Sequence, residues 1–486
     1  MNIIDLKKMN FMTNVLSSSK IIIFFLFLSG FVIGLSAQVP DTWKQIVGSA
    51  FLENQSYDFL RKLSDQAGPR LAGTPENAAA TQIIRQQLTN LGYEVRLEKF
   101  KMPGWVRKID RVALVLPSSK SLKVVSLGYT IPTAVFRAPA VYAGQGFSED
   151  YKGLDASGKI VLISSDRLPE KPRIQRQEAI EQAIKQGAKA LLFINERSGN
   201  LNRAGSGDFH GNPLPIPVFS ITREEGLWIK RLLSDKINLQ LEVETASYIE
   251  PIEVANIVAE LPGKNQQKIV VGAHFDAWDL AQGSIDNGLG TAILFDVARL
   301  LKNYSPQNYY SVEFVWFNAE ELGLFGSKNY IKVNNPEKIL LMINMDMTGS
   351  PTGINAMGFD ELVPALHELV KTLNGFNLHE GVSSRPWTNS DHMPFMFQGI
   401  PIITLRAKLD EDMLSSYHSQ TDTFDKVNKK YLSEAAAVVS ILAQKFANSE
   451  QFRFPRKTQQ EMISLFKKYQ LDERLKIQKE WPFQSD

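Results

Sequence analysis

Two histidines, three carboxylates and one further glutamate stand at the ends of short apolar runs in this 486-residue chain. They are His274 in His274-Phe275-Asp276, Asp286 before Asn287-Gly288, the pair Glu320-Glu321 after Asn318-Ala319, Asp346 after Met345, and His418 after Tyr417. Imidazole and carboxylate are good zinc donors, and two neighbouring zinc ions can clamp an attacking water and a leaving oxygen. Such a pair needs a bridging carboxylate plus two terminal ligands per metal. Asp286 can bridge, His274 and Asp346 can complete one site, and Glu321 and His418 the other. Glu320 is then free to act as general base on a metal-bridging water and as general acid to the leaving amine. Asp276, two positions past His274, is placed to accept the imidazole's other N–H. Singly these residues read as turn, cap or strand-end residues. Their joint occurrence, each just past an apolar run, predicts hydrolysis with two Zn2+ per chain.

The elements that must position them alternate. Strand Lys268 to Gly272 leads to helix Gly290 to Leu301, and strand Val312 to Phe317 to helix Gly323 to Tyr330. Strand Ile339 to Met345 leads to helix Glu361 to Leu373, and strand Pro401 to Leu405 to helix Lys430 to Phe446. Strands separated by helices predict an α/β domain with a mixed, mostly parallel sheet flanked by helices, and in open α/β sheets sites form beyond the carboxyl ends of the strands. Upstream, Glu76 to Leu91 has helical apolar spacing with Gly92 as its stop, and Tyr93 to Phe100 alternates as a strand.

Residues 110 to 248 change character. Short strands are predicted at Val112 to Leu116, Lys123 to Ser126, Lys159 to Ile163, Ala190 to Ile194 and Pro217 to Ile221, with one helix at Arg176 to Gln186. This is a mostly β insertion without a catalytic cluster. The resulting division is a signal segment at 1–37, a catalytic domain at 42–110 and 250–447, an inserted domain at 111–249, and a polar helical tail at 448–486 with a frayed end.

Composition narrows the class. Apolar content of 44% and charged content of 22% are those of a globular protein. Lys7, Lys8 and Lys20 precede the apolar run Ile21 to Gly34, and Leu35-Ser36-Ala37 offers small residues before Gln38. This is read as a cleaved secretory signal rather than a retained anchor, placing the protein in the periplasm or outside the cell. Without residues 1–37 the chain holds 51 basic and 51 acidic residues, which gives no electrostatic footprint for nucleic acid. No later run is long and apolar enough to span a bilayer, so no membrane association is expected of the mature form. Zero cysteines exclude disulfides, thiolate ligands and a Cys nucleophile. No Gly-x-Ser-x-Gly elbow supports serine chemistry.

The motifs resemble those of the co-catalytic di-zinc aminopeptidase and glutamate carboxypeptidase family of metallopeptidases. Gly68-Pro69-Arg70-Leu71-Ala72-Gly73-Thr74 is similar to the family's early loop, and Ser390-Asp391-His392-Met393-Pro394-Phe395 and Tyr417-His418-Ser419 with Asp422-Thr423 are similar to its late blocks. His274-Phe275-Asp276-Ala277-Trp278-Asp279 with Gln282-Gly283 resembles most the carboxypeptidase Q branch. Gly158 to Ile163, Gly187 to Leu192 and Ile216 to Val218 resemble a protease-associated domain. The resemblance covers residues 45 to 445. It implies a phosphorylase/hydrolase-like zinc exopeptidase fold, metal ligation by His274, Asp286, Glu321, Asp346 and His418, and a base role for Glu320. Many members carry a second Asp after the bridging one, where this chain has Asn287, and the family often holds that peptide cis. His392 is a further ligand by chemistry but a structural neighbour by family pattern, while His210, His367 and His379 match no motif. The implied activity is removal of amino-terminal residues from peptides, with a carboxypeptidase Q-like dipeptidase as the alternative. A non-catalytic receptor-like protein and a one-zinc glutaminyl cyclase are the readings from other classes. Arg385, Trp387 and Arg406 are candidate anchors for a substrate terminus, and a homodimer is the default assembly.

Overall fold

The computed structural model describes residues 39–166 and 173–483; the signal segment expected at 1–37 lies outside them. Among the described residues the larger eight-stranded sheet runs in the order Val95–Val106, Tyr248–Leu261, Asn308–Phe317, Gly263–His274, Ile339–Asn344, Ile402–Lys408, Ser350–Asn355, Gly381–Ser383. Its four central strands, from Asn308–Phe317 to Ile402–Lys408, are parallel. Antiparallel pairings join the outer strands to them. Parallel strands covered on both faces need apolar residues at every position. Ile269 to Val271, Phe314 to Phe317 and Leu341 to Ile343 are accordingly buried without alternation.

Helix Gly288–Tyr304 packs against helix Lys429–Ala447 and the sheet, and it is buried continuously from Gly288 to Leu301. A helix apolar nearly all round belongs inside a core. Its charged pair is compensated: Arg299 donates to Asp296 at 2.6 Å and to Ser49 Oγ at 3.0 Å, which ties the first helix, Asp41–Leu52, to the core. Helix Pro75–Asn90 starts where Thr74 accepts from the Asn77 N–H.

The second eight-stranded sheet lies between residues 110 and 245. It includes three strands that periodicity does not reveal, Lys120–Leu122, Thr133–Tyr142 and Gln240–Thr245, and a second helix, Arg223–Ser234. That helix is masked in the sequence by Gly226, which is needed because a Cβ there would sit 2.6 Å from Ile194. Strand Tyr248–Leu261, also unexpected, pairs with Val95–Val106 along its length. Where the two sheets meet, the Arg107 guanidinium grips Asp279 at 2.7 and 3.0 Å and Asp110 at 3.1 Å, over the Trp105 ring.

The tail, expected to be a polar surface helix, packs instead into the core. It forms two helices, Gln459–Lys468 and Leu471–Ile477, and Met462, Phe466, Leu475 and Phe483 are buried against the main core. Its charge density concealed this apolar spacing of four.

Candidate metal centre and its cleft

The register of the parallel strands explains the assembly of the site. Gly272 lies beside Asn344 and His274 beside Phe317, so whatever follows these strands reaches one rim. His274 ends its strand, Glu320 and Glu321 follow Phe317, and Asp346 follows Asn344. Asp286 arrives just before helix Gly288–Tyr304. Asn287 caps that helix by accepting from Gly290 N–H at 3.0 Å, also accepts from Met347 N–H at 3.1 Å, and donates to the Met345 carbonyl at 2.9 Å. The Asp286–Asn287 peptide is cis. His418 follows helix Glu411–Ser416 in the left-handed region, φ +56°.

The side chains converge in two groups that share Asp286. His274 Nε2 lies 3.5 Å from Asp286 Oδ1 and 3.6 Å from Asp346 Oδ1. His418 Nε2 lies 2.9 Å from Asp286 Oδ2 and 3.0 Å from Glu321 Oε2. In each group the donor atoms all lie within 4.8 Å of one another. Glu320 Oε2 stands 4.0 Å from His274 Nε2 and faces the cleft.

A ring of hydrogen bonds orients this set. The Asp276 carboxylate accepts from the backbone N–H groups of Glu320 and Glu321 at 3.1 and 3.2 Å. His274 Nδ1 is 3.1 Å from the Asp276 backbone carbonyl and 3.5 Å from its carboxylate, so the imidazole rests on both. Asp422 accepts from Ile285 and Asp286 N–H at 2.6 and 3.0 Å. The buried Arg70 guanidinium donates to the carbonyls of Gly68, Gln282, Gly283 and Phe275, pinning both ends of the loop between His274 and Asp286. Asp422 and Arg70 stand in motifs that the sequence singled out, but only the fold shows what they touch.

The inserted domain reaches the same ring. Ala204 N–H donates to the His418 carbonyl at 2.8 Å, and His418 Nδ1 lies 3.3 Å from the Ala204 carbonyl. Asn202 N–H donates to Gln420 Oε1 at 3.1 Å, and Gln420 Nε2 returns a bond to Asn202 Oδ1 at 2.9 Å. The Tyr417 ring stacks on the His418 ring at 3.8 Å, and Trp278 meets His418 edge-on at 6.0 Å. No sequence signal marked Asn202 or Ala204.

Electrostatics describe a centre short of positive charge. Burial pushes the Glu321 carboxyl up to about 7 and the Glu320 carboxyl well above its ordinary range. Burial alone would lower His418, but Glu321 and Asp286 outweigh it and hold the imidazole at about 9. His274 is likewise held well above its ordinary value, its burial overcome by Glu320 and the neighbouring aspartates. Asp286, between two imidazoles, is held below the carboxylate range despite its burial. Divalent cations would replace the protons that this cluster attracts. The donor set fits them, and Glu321 Oε1 is buried without a hydrogen-bond partner.

His392 is not available as a ligand. Its Nε2 is 2.9 Å from the Trp387 carbonyl, its Nδ1 is 3.3 Å from Asn344 Nδ2, and burial pushes it down to about 4. His210, His367 and His379 are exposed. Of the suggested terminus anchors, Trp387 lines the cleft. Arg385 is exposed and Arg406 is paired with Glu380 at 2.5 Å, and neither lines it. The cleft itself, about 750 Å³, has the carboxylates and His418 as its floor and is walled by the inserted domain and the last helix.

A parallel sheet whose rim gathers paired imidazole–carboxylate groups around a buried glutamate is the donor arrangement of a metal-dependent hydrolase. Residues 256–443 match peptidase family M28 and residues 128–229 match the PA domain, and with the relatives below this supports a zinc metallo-exopeptidase. Carboxypeptidase Q from Bos taurus is 29% identical over 412 residues, covering 82% of this chain and 86% of that protein. Aminopeptidase YwaD from Bacillus subtilis (strain 168) is 26% identical over 413 residues, covering 80% and 84%. Among solved structures, a peptidase M28 precursor from Shewanella amazonensis SB2B superposes with a TM-score of 0.75 at 24% identity, over 86% of this chain and 98% of the other.

Proposed function

We propose that the chain is a two-zinc exopeptidase that removes the amino-terminal residue of short peptides. His274 and Asp346 would hold one ion, Glu321 and His418 the other, and Asp286 both. The observation that carries this reading is the sharing of Asp286 between the two donor groups. Zinc at these positions would supply Lewis-acid activation of the scissile carbonyl and of the attacking water. Glu320, raised by burial, takes the water's proton and delivers it to the leaving amine. Asp276 fixes both glutamates through their backbone N–H groups, and Asp422 fixes Asp286.

The supporting division of labour is a catalytic unit of residues 42–110 and 250–447, an insertion at 111–249 that walls the cleft, and the tail from 448. A dipeptidase like carboxypeptidase Q is the second reading, favoured by the cleft's wall of inserted-domain and tail residues, which limits substrate length. Metal analysis of the purified chain separates these readings from a cyclase: about two zinc ions per chain is expected, and about one contradicts the assignment. Product analysis on dipeptides, amino-blocked peptides and longer peptides then separates aminopeptidase from dipeptidase. Export through residues 1–37 is proposed with it, although among the described residues no helix is long and apolar enough to cross a membrane. Amino-terminal sequencing of the mature protein should begin at Gln38. A homodimer is the proposed assembly, checked by sedimentation.

A further inference from the structure

Four tryptophans are buried among the described residues, and three of them spend their indole N–H on a partner. Trp43 donates to Gln444 Oε1 at 2.8 Å, Trp105 to the Thr130 carbonyl at 2.9 Å and Trp316 to the Thr291 carbonyl at 3.1 Å. The fourth, Trp278, is 4% exposed, and its Nε1 has no partner among the described residues. A buried N–H left unmade is costly, and a buried indole normally finds an acceptor.

The matching acceptor belongs to the metal centre. Glu321 turns Oε2 towards His418 Nε2 at 3.0 Å, in the group shared with Asp286. Its Oε1 is buried and has no hydrogen-bond partner among the described residues. Trp278 and Glu321 line one small chamber of about 10 Å³, together with Asp286, His418, Ser419 and Asp422. That volume is room for a single water, and a chamber with polar walls takes one where an apolar chamber stays dry.

The other polar walls are already engaged. Asp422 accepts from the Ile285 and Asp286 N–H groups, and Ser419 Oγ donates to the Ser416 carbonyl at 2.9 Å. His418 Nδ1 lies against the Ala204 carbonyl, and Asp286 faces both imidazoles. What remains is one donor, Trp278 Nε1, and one acceptor, Glu321 Oε1. They do not bond to each other directly. The molecule that satisfies both must accept on one side and donate on the other. A cation would repel the N–H and an anion the carboxylate, whereas water does both.

Trp278 is held firmly enough to act as an anchor. Its ring meets Trp105 edge-on at 6.3 Å and His418 at 6.0 Å, and a Cβ on Gly128 would sit 3.2 Å from its Cη2. Its chain lies in the loop that Arg70 pins between His274 and Asp286. Carboxylates that ligate metals are oriented by the hydrogen bonds that their other atoms make.

We propose that this chamber binds one ordered water, which accepts from Trp278 Nε1–H and donates to Glu321 Oε1. Trp278 is thereby a positioning residue: it engages Oε1 through the water and leaves Oε2 as the atom that Glu321 offers to a metal. This rests on the two-zinc reading and deepens it.

The test uses the full chain. A crystal structure at a resolution that shows ordered waters should place one in the chamber, within hydrogen-bond distance of both atoms, with and without zinc. A dry chamber, or Glu321 with both oxygens on zinc, overturns the proposal. Replacing Trp278 by benzothienylalanine keeps the shape of the ring and exchanges the N–H for sulfur. It should weaken one of the two zinc ions by about 10-fold in competition with a chromophoric chelator. Trp278→Phe, which also removes the N–H, should weaken it at least as much. A ring that serves only to pack would leave the benzothienylalanine protein at wild-type affinity, and that result overturns the positioning role even if Trp278→Phe does not fold. An ordered water in a protein that takes up no zinc would sink the two-zinc reading and keep the water site. Two bound zinc ions whose affinity the exchange does not move would sink the present inference alone.

Discussion

At the sheet rim, Asp276 and Asp422 commit their carboxylate oxygens to backbone N–H groups that carry Glu320, Glu321 and Asp286. On the wall across the cleft, the guanidiniums of Arg197 and Arg474 keep buried donors open. One region is closed upon itself, with its positions fixed by the register of parallel strands. The other is incomplete and assembled from loops and a tail helix. The contrast teaches a separation of tasks: geometry that must not vary is built on the sheet, and recognition is left to elements that can change without disturbing it.

The comparison breaks most readily at Glu320. Glu320→Gln should lower kcat by about 10² to 10⁴ while zinc content persists, since a general base is lost but no proposed ligand is. A loss of less than tenfold would remove Glu320 from the chemistry. Next come the residues that hold the rim. Asp276→Ala and Asp422→Ala should each weaken zinc affinity by about 10- to 100-fold, read by competition with a chromophoric chelator. Unchanged affinity would mean that the rim does not depend on its hydrogen-bonded ring.

The smaller effects test the boundary between the regions. Asn202→Ala removes one side of the paired contact with Gln420 and should weaken zinc binding by about 2- to 10-fold, with the same competition assay as readout. The pH dependence has a definite sign. In the metal-free protein Glu321 holds its proton up to about 7 against an ordinary 4.5, and His418 up to about 9 against 6.5. Both raised values favour the folded state in full below the ordinary values, and that contribution is lost as pH rises through about 7 and then about 9. Zinc needs both groups unprotonated, so the thermal shift produced by zinc should grow from about pH 5 to about pH 8. A shift that shrinks with pH would contradict the liganding roles.

The two regions were unequally legible in the sequence. The rim could be read because a carboxylate or imidazole within three residues of Val270-Val271-Gly272, Trp316-Phe317 or Asn344-Met345 has few structural reasons to be there. The fold followed from the same runs, since their length and continuity mark strands covered on both faces. Asp276 was singled out, but its grip on the Glu320 and Glu321 N–H groups depends on a turn that periodicity does not encode. The cleft wall, with its Arg176, Arg197, Arg203 and Arg474, was not readable at all. Arg176, Arg197 and Arg203 lie in or beside irregular segments, and Arg474 belongs to a tail whose charges suggested a frayed end. Only the burial of Met462, Phe466 and Leu475 against the main core brings that tail to the cleft. Arg385 and Arg406, chosen by loop position, show the limit of such reasoning, because position in a loop does not fix the direction of a side chain.

The reciprocal bonds between Ala204 and His418 have a consequence for how this molecule can be altered. One proposed zinc ligand is braced by a segment 214 residues earlier, from a loop of the inserted domain. Excising the insertion to obtain a minimal enzyme would therefore loosen the metal, and a hinge movement of the insertion would be transmitted to the ion without any intermediary. Lineages that elaborate the outer face of this domain are free to do so, but the short stretch from Asn202 to Ala204 is bound to the fate of the active centre.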